Sequence, residues 1–243
     1  MRKTMKKTVC ILIFLTLSAC TVFLAYLHFF ASDDRELSGE GAAELDMTKQ
    51  AAVTALVWLQ DIEAVSISLE DMESYMQDLT IQVNLTLEQT ARSEGTFHCN
   101  VLPESYDACN QAAYEAFAIA FQELLARRLQ MAGYADSTDR EAMEALITET
   151  FGMSTVSYLM AYGPDLLPSL EDLQVQYDGS GTYEAAEDIL TRQFDDGRAA
   201  VVKVEYYIRK DTKLILYEEI GADSSDSFSD YDPMIYTLKQ PQN

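Results

Sequence analysis

The chain has 243 residues, 48% of them hydrophobic, and a formal net charge of −23 from 40 Asp and Glu against 17 Lys and Arg. That apolar content, with only five prolines, excludes a disordered stalk and supplies enough material for a buried core. The acidity excludes nucleic acid and anionic lipid headgroups as ligands of the polar part.

Residues 1–7 carry Arg2, Lys3, Lys6 and Lys7, and no charge follows until Asp33. The run from Thr8 to Ala31 reads as a transmembrane signal-anchor, since 24 helical residues rise about 36 Å against a hydrocarbon core of roughly 30 Å. The basic tail belongs in the cytoplasm, so the expected localisation is the plasma membrane, single-pass, with the C-terminal part extracytoplasmic. Leu17-Ser18-Ala19-Cys20 resembles the bacterial lipobox, which makes Cys20 a lipidation candidate. The apolar stretch Thr21–Phe30 behind it favours an uncleaved anchor instead. An ordinary cleaved signal peptide is the third alternative. All 40 acidic residues and 13 of the basic ones lie beyond residue 32, giving that part −27.

A polar linker is expected at 32–42 and a helical hairpin at 43–135. Ala51, Ala55, Trp58, Ile62, Val65, Leu69, Met72, Met76, Leu79 and Val83 keep 4-3 or 3-4 spacing, the seam of a helix packed on another helix. Ile81, Val83, Leu85 and Leu87 alternate with polar residues, so 80–89 also reads as a strand. A second helix is expected from about Tyr106 to Ala132, stopped by Gly133. Thr138-Asp139-Arg140-Glu141 matches a capping box that opens a third, and a short helix from Ser154 ends at Gly163-Pro164.

Region 136–243 changes period towards its end. Leu173, Val175 and Tyr177 alternate like a strand, and Asp178-Gly179-Ser180-Gly181 reads as a turn. Residues 183–194 suit helix or strand. Asp195-Asp196-Gly197 turns into a long strand, Lys210-Asp211-Thr212 turns into another, and Met234–Leu238 forms a last short one. The expected fold class is α+β: an N-terminal transmembrane helix, a helical hairpin and further helices, then a C-terminal antiparallel meander with one face covered. The order of elements in the second half resembles cystatin-like or nuclear-transport-factor-like architectures, a likeness of fold with no motif behind it.

Chemistry is sparse. Cys99 and Cys109 are the only cysteines beyond the apolar run and flank a nine-residue loop, so a disulfide is the simplest reading in an oxidising compartment. A metal site from His98, Cys99, Asp107 and Cys109 is the sharper alternative, without the tight CxxC pairs that structural zinc favours. Asp223, Asp226, Asp230 and Asp232 form a weak calcium candidate that lacks the EF-hand spacing. No catalytic or cofactor-binding motif is present, so no catalytic residue and no cofactor are assigned. The expected function is a membrane-anchored, non-enzymatic accessory protein of a cell envelope that binds an envelope or membrane protein and no nucleic acid. The alternatives are a small-ligand or cation-binding exported domain, and an envelope hydrolase working through carboxylates.

Overall fold

A computed structural model describes residues 37–61, 67–134, 139–195, 201–218 and 233–239. Its frame is a closed barrel of eight antiparallel strands in sequential order, the last pairing with the first. The strands are β1 (Gly39–Asp46), β2 (Thr80–Gln89), β3 (Glu94–Val101), β4 (Gly179–Ala186), β5 (Ile189–Phe194), β6 (Val202–Lys210), β7 (Lys213–Glu218) and β8 (Met234–Leu238). Closure rests on Gly41 opposite Leu238 and Ala42 opposite Thr237, extended by Lys239 N–H donating to Glu40 O at 2.7 Å.

Two insertions leave the same end of the barrel. Helices α1 (Thr48–Asp61) and α2 (Leu69–Tyr75) join β1 to β2. Helices α3 (Pro103–Met131), α4 (Arg140–Phe151), α5 (Thr155–Tyr162) and α6 (Leu170–Tyr177) join β3 to β4. Local chemistry sets their limits. Pro103 opens α3, where its missing N–H costs nothing. Asp139, Ser154 and Ser169 cap α4, α5 and α6 by accepting from the amides of Ala142, Ser157 and Asp172. Gly152 ends α4 at φ 73°, a left-handed position that glycine occupies without strain.

The core has two compartments. Inside the barrel, alternation sends Leu85, Leu87, Phe97, Tyr183, Leu214 and Tyr236 inward, filling the lumen with side chains as an eight-stranded barrel allows. Leu37, just before β1, is buried in the same cluster at the end made of tight turns. At the other end Leu45, Ile81, Val83 and Val101 belong to the helical core, which is centred on Phe117. The helices therefore stopper one end of a barrel.

This overturns the α+β expectation of a cystatin-like open sheet with one face covered. The physical reason is edge closure: β1, which spans the end of the expected linker and the start of the expected helical hairpin, pairs with both β2 and β8 and leaves no free edge. The 4-3 repeat from Ala51 to Val83 is no single seam, because it runs through α1, α2 and into β2, where the alternation of Ile81, Val83, Leu85 and Leu87 prevails. The segment around Leu173 is helix, not strand, and Gly179 begins β4 where a turn is expected. Residues 183–194 form a hairpin whose turn uses Glu187 and Asp188 at positive φ. The single-pass, plasma-membrane and signal-anchor expectations are also overturned. Among the described residues no helix is long and apolar enough to cross a membrane, and segment 8–31 lies outside the described residues.

Candidate functional site

The expected site residues do not assemble. Cys99 points into the barrel from β3, whereas Cys109 sits on α3 in the helical core. Both are buried free thiols, which corrects the expected disulfide. The cause is the parity of β3, which turns Cys99 inward with Phe97 and Val101 and leaves His98 exposed on the outer face. Asp107 is exposed on α3, and among the described residues no three His, Cys, Asp or Glu side chains are grouped to hold a metal ion. Asp223, Asp226, Asp230, Asp232 and Cys20 lie outside the described residues.

Within the barrel lies a buried ion pair. Arg192 Nε donates to Glu205 Oε2 at 2.7 Å and Nη2 donates to Oε1 at 2.9 Å, a two-pronged contact between β5 and β6. The third nitrogen, Nη1, donates to Cys99 Sγ at 3.3 Å, and the guanidinium lies 5.3 Å from the Phe97 ring and 5.6 Å from that of Phe194. Burial works against the charge of Arg192, but Glu205 more than offsets it and holds the guanidinium above its ordinary pKa. Burial likewise raises the Cys99 thiol, so this sulfur is a protonated core atom and not a ready nucleophile. Arg192, Glu205, Cys99 and Phe97 are all buried, and their contacts join three strands.

Among the described residues an accessible concavity lies elsewhere, between α3 and α4. A groove of about 920 Å³ is lined by Gln122, Arg140, Glu141, Glu144, Thr148 and Glu149. A second hollow of about 260 Å³ adjoins it along α3 through Glu123, Arg127 and Gln130, sharing Gln122 and Arg140. Its floor is a closed polar network. Gln122 Nε2 donates to Glu144 Oε2 at 2.6 Å and to Thr155 Oγ1 at 2.9 Å. Thr155 in turn donates its hydroxyl to Glu144 Oε2 at 2.6 Å and its amide to Oε1 at 3.2 Å. The Glu144 carboxylate thus sits on the N-terminal turn of α5, where the exposed amide dipoles favour negative charge.

Rings stiffen the same region. Trp58 and Phe117 meet edge to face at 5.8 Å, Phe121 lies 6.4 Å from Tyr158, and Tyr158 lies 4.4 Å from Phe151. The row runs from the core to the surface, where Phe151, the last residue of α4, is 49% exposed. Tyr75 donates its hydroxyl to Glu123 Oε2 at 2.6 Å, tying α2 to the margin of the groove. A rigid floor, cationic Arg127 and Arg140, and anionic walls make the groove amphoteric. Such a surface suits a polypeptide, which offers donors, acceptors and both charges along its length.

Sequence reasoning missed this network and the barrel ion pair, although each leaves a trace. Gln122 interrupts the buried stripe Ala118, Gln122, Ala126 on α3. Arg192 shares parity with Leu190 and Phe194, and Glu205 shares it with Tyr207, so opposite charges stand at inward positions of neighbouring strands. Comparison of the chain with protein-family models, with curated proteins and with solved structures gave no match.

Proposed function

We propose that this protein is a non-enzymatic binding domain that holds a polypeptide segment of a partner protein in the groove between α3 and α4. The observation that carries the reading is the groove's floor: Gln122, Glu144 and Thr155 satisfy one another and fix the surface before any partner arrives. Pre-ordering of this kind lowers the entropy cost of association. Arg140 and Arg127 would take carboxylates or carbonyls of the segment, and Glu149 and Glu141 its basic side chains. The chain's large negative charge would speed encounter with a basic partner.

The test is affinity capture of the full chain from its native cells, compared with the double variant Arg140→Glu/Thr148→Arg. Both substitutions lie at the groove and leave the network of Gln122, Glu144 and Thr155 in place. The reading expects a reproducible partner on the wild-type chain that is lost from the variant while the melting temperature stays the same. An identical set of captured proteins on both chains would overturn it.

A further inference from the structure

The floor of the groove fixes which way one of its side chains faces. Gln122 spends both protons of its side-chain amide on the network, one on Glu144 Oε2 and one on Thr155 Oγ1. Turning the amide over would set its oxygen against that carboxylate oxygen, acceptor to acceptor, so the orientation is determined. Gln122 Oε1 is left over. Nothing among the described residues donates to it, and the side chain around it is only 6% exposed. Gln122 lines both hollows, so this oxygen is an open acceptor where they join. An acceptor held in a nearly buried side chain gains most from a donor that arrives with a ligand.

The two hollows differ in sign. In the larger, Arg140 stands among Glu141, Glu144 and Glu149; in the smaller, Arg127 and Arg140 stand with Glu123, whose carboxylate already accepts from the Tyr75 hydroxyl. Neither Arg127 nor Arg140 has an ion-pair partner among the described residues. Exposed charges on helices are ordinarily just solvated, but here they are sorted by sign on either side of one fixed, open acceptor. We propose that the groove reads the charge order of its segment. A lysine or arginine side chain enters the larger hollow, donates to Gln122 Oε1 and faces Glu141 and Glu149, while an acidic side chain enters the smaller hollow against Arg127 and Arg140. Arg140 and Glu149 stand about 13 Å apart along α4, and an extended segment covers that span in about four residues. The inference rests on the proposed binding function and adds the chemistry of the segment that is bound.

The test selects a displayed library of random dodecapeptides on the full chain and on two charge-reversed variants, Glu141→Lys/Glu149→Lys and Arg127→Glu/Arg140→Glu. All four positions are exposed, and unchanged melting temperatures confirm that the variants fold. The wild type should enrich peptides that pair a basic with an acidic residue about four positions apart, at least about fivefold over the input. The first variant should lose the preference for the basic residue and keep that for the acidic one, and the second should do the reverse. The leading peptide is then synthesised with lysine or Nε-trimethyl-lysine at its basic position. Trimethylation keeps the charge and removes every N–H, and should weaken binding at least about tenfold if Gln122 Oε1 is the acceptor. Enriched peptides without paired charges, the same peptides on all three chains, or equal affinity for the trimethylated form would overturn the inference. Those peptides would still support the binding function wherever Arg140→Glu/Thr148→Arg abolishes their capture. No enrichment on the wild-type chain would overturn the groove reading itself, and the inference with it.

Discussion

Removing one member of the Arg192–Glu205 pair should be among the most destabilising single changes in the barrel, and the two members should differ. Both side chains are nearly enclosed, at 7% and 4% exposure, so a lone survivor would be a charge stranded between β5 and β6. Breaking a buried pair costs about 3–5 kcal/mol, chiefly because the remaining charge stays desolvated. Glu205→Gln leaves Arg192 with Cys99 and two aromatic rings but no anion, and should fall at the upper end. Arg192→Met leaves Glu205 with Lys203 Nζ at 3.2 Å from Oε1, a partner open to solvent, and should fall at the lower end. The double variant Arg192→Met/Glu205→Leu strands no charge on either member and should lie within about 1–2 kcal/mol of wild type. Urea unfolding followed by circular dichroism at pH 7 separates these cases. With a slope of about 2 kcal/mol/M the single variants should lose about 1.5–2.5 M in midpoint. A single variant costing under about 1 kcal/mol, or a double variant as weak as Glu205→Gln, would refute the reasoning.

Three further outcomes follow from the same structure. Burial raises Cys109 from 9.0 to about 11 and Tyr183 from 10.0 to about 12. The unfolded chain therefore loses these protons first, so their stabilisation is complete below pH 9 and is lost as pH rises from 9 through 12. Each group contributes up to about 1.4 kcal/mol per pH unit within its own window, and Cys109→Ala should flatten the slope between pH 9 and 11 in urea titrations. Because Cys99 and Cys109 are free thiols, dithiothreitol should leave the melting temperature unchanged, and a fall of several degrees would reinstate a disulfide. Glu144→Ala should cost about 1–3 kcal/mol by orphaning Gln122 and the Thr155 amide, measured by thermal melts, with Glu144→Gln recovering part of it.

Legibility in the sequence followed the range of the interaction. Met234–Leu238 forms the strand expected of it, and the turn at Asp211 and the limits of α5 at Ser154 and Gly163 fall where local residues place them. Each depends on a few neighbouring side chains. Errors arose where a local pattern had two readings. Leu173, Val175 and Tyr177 alternate, yet Leu173 is buried while Val175 is 70% exposed, and the Ser169 cap with Asp172 makes the segment a helix. Gly181, expected in a turn, lies in a strand, as does Gly95. A side chain at Gly95 would meet the Tyr183 ring at 2.6 Å, and one at Gly181 would meet the backbone oxygen of Gln193. Barrel closure joins β1 to β8 across most of the chain, and no periodicity within either strand reports its partner. The groove was hidden for the same reason: Gln122, Glu144 and Thr155 come from three helices.

The most direct test of the proposed binding function is a photo-crosslinking amino acid at Thr148 on the groove wall, with Thr182 on β4 as control, irradiated in living cells and analysed by mass spectrometry. The groove reading predicts a discrete adduct to a polypeptide of different sequence at Thr148, absent at Thr182 and abolished by Arg140→Glu. No adduct at Thr148, or the same adduct at both positions, would contradict it.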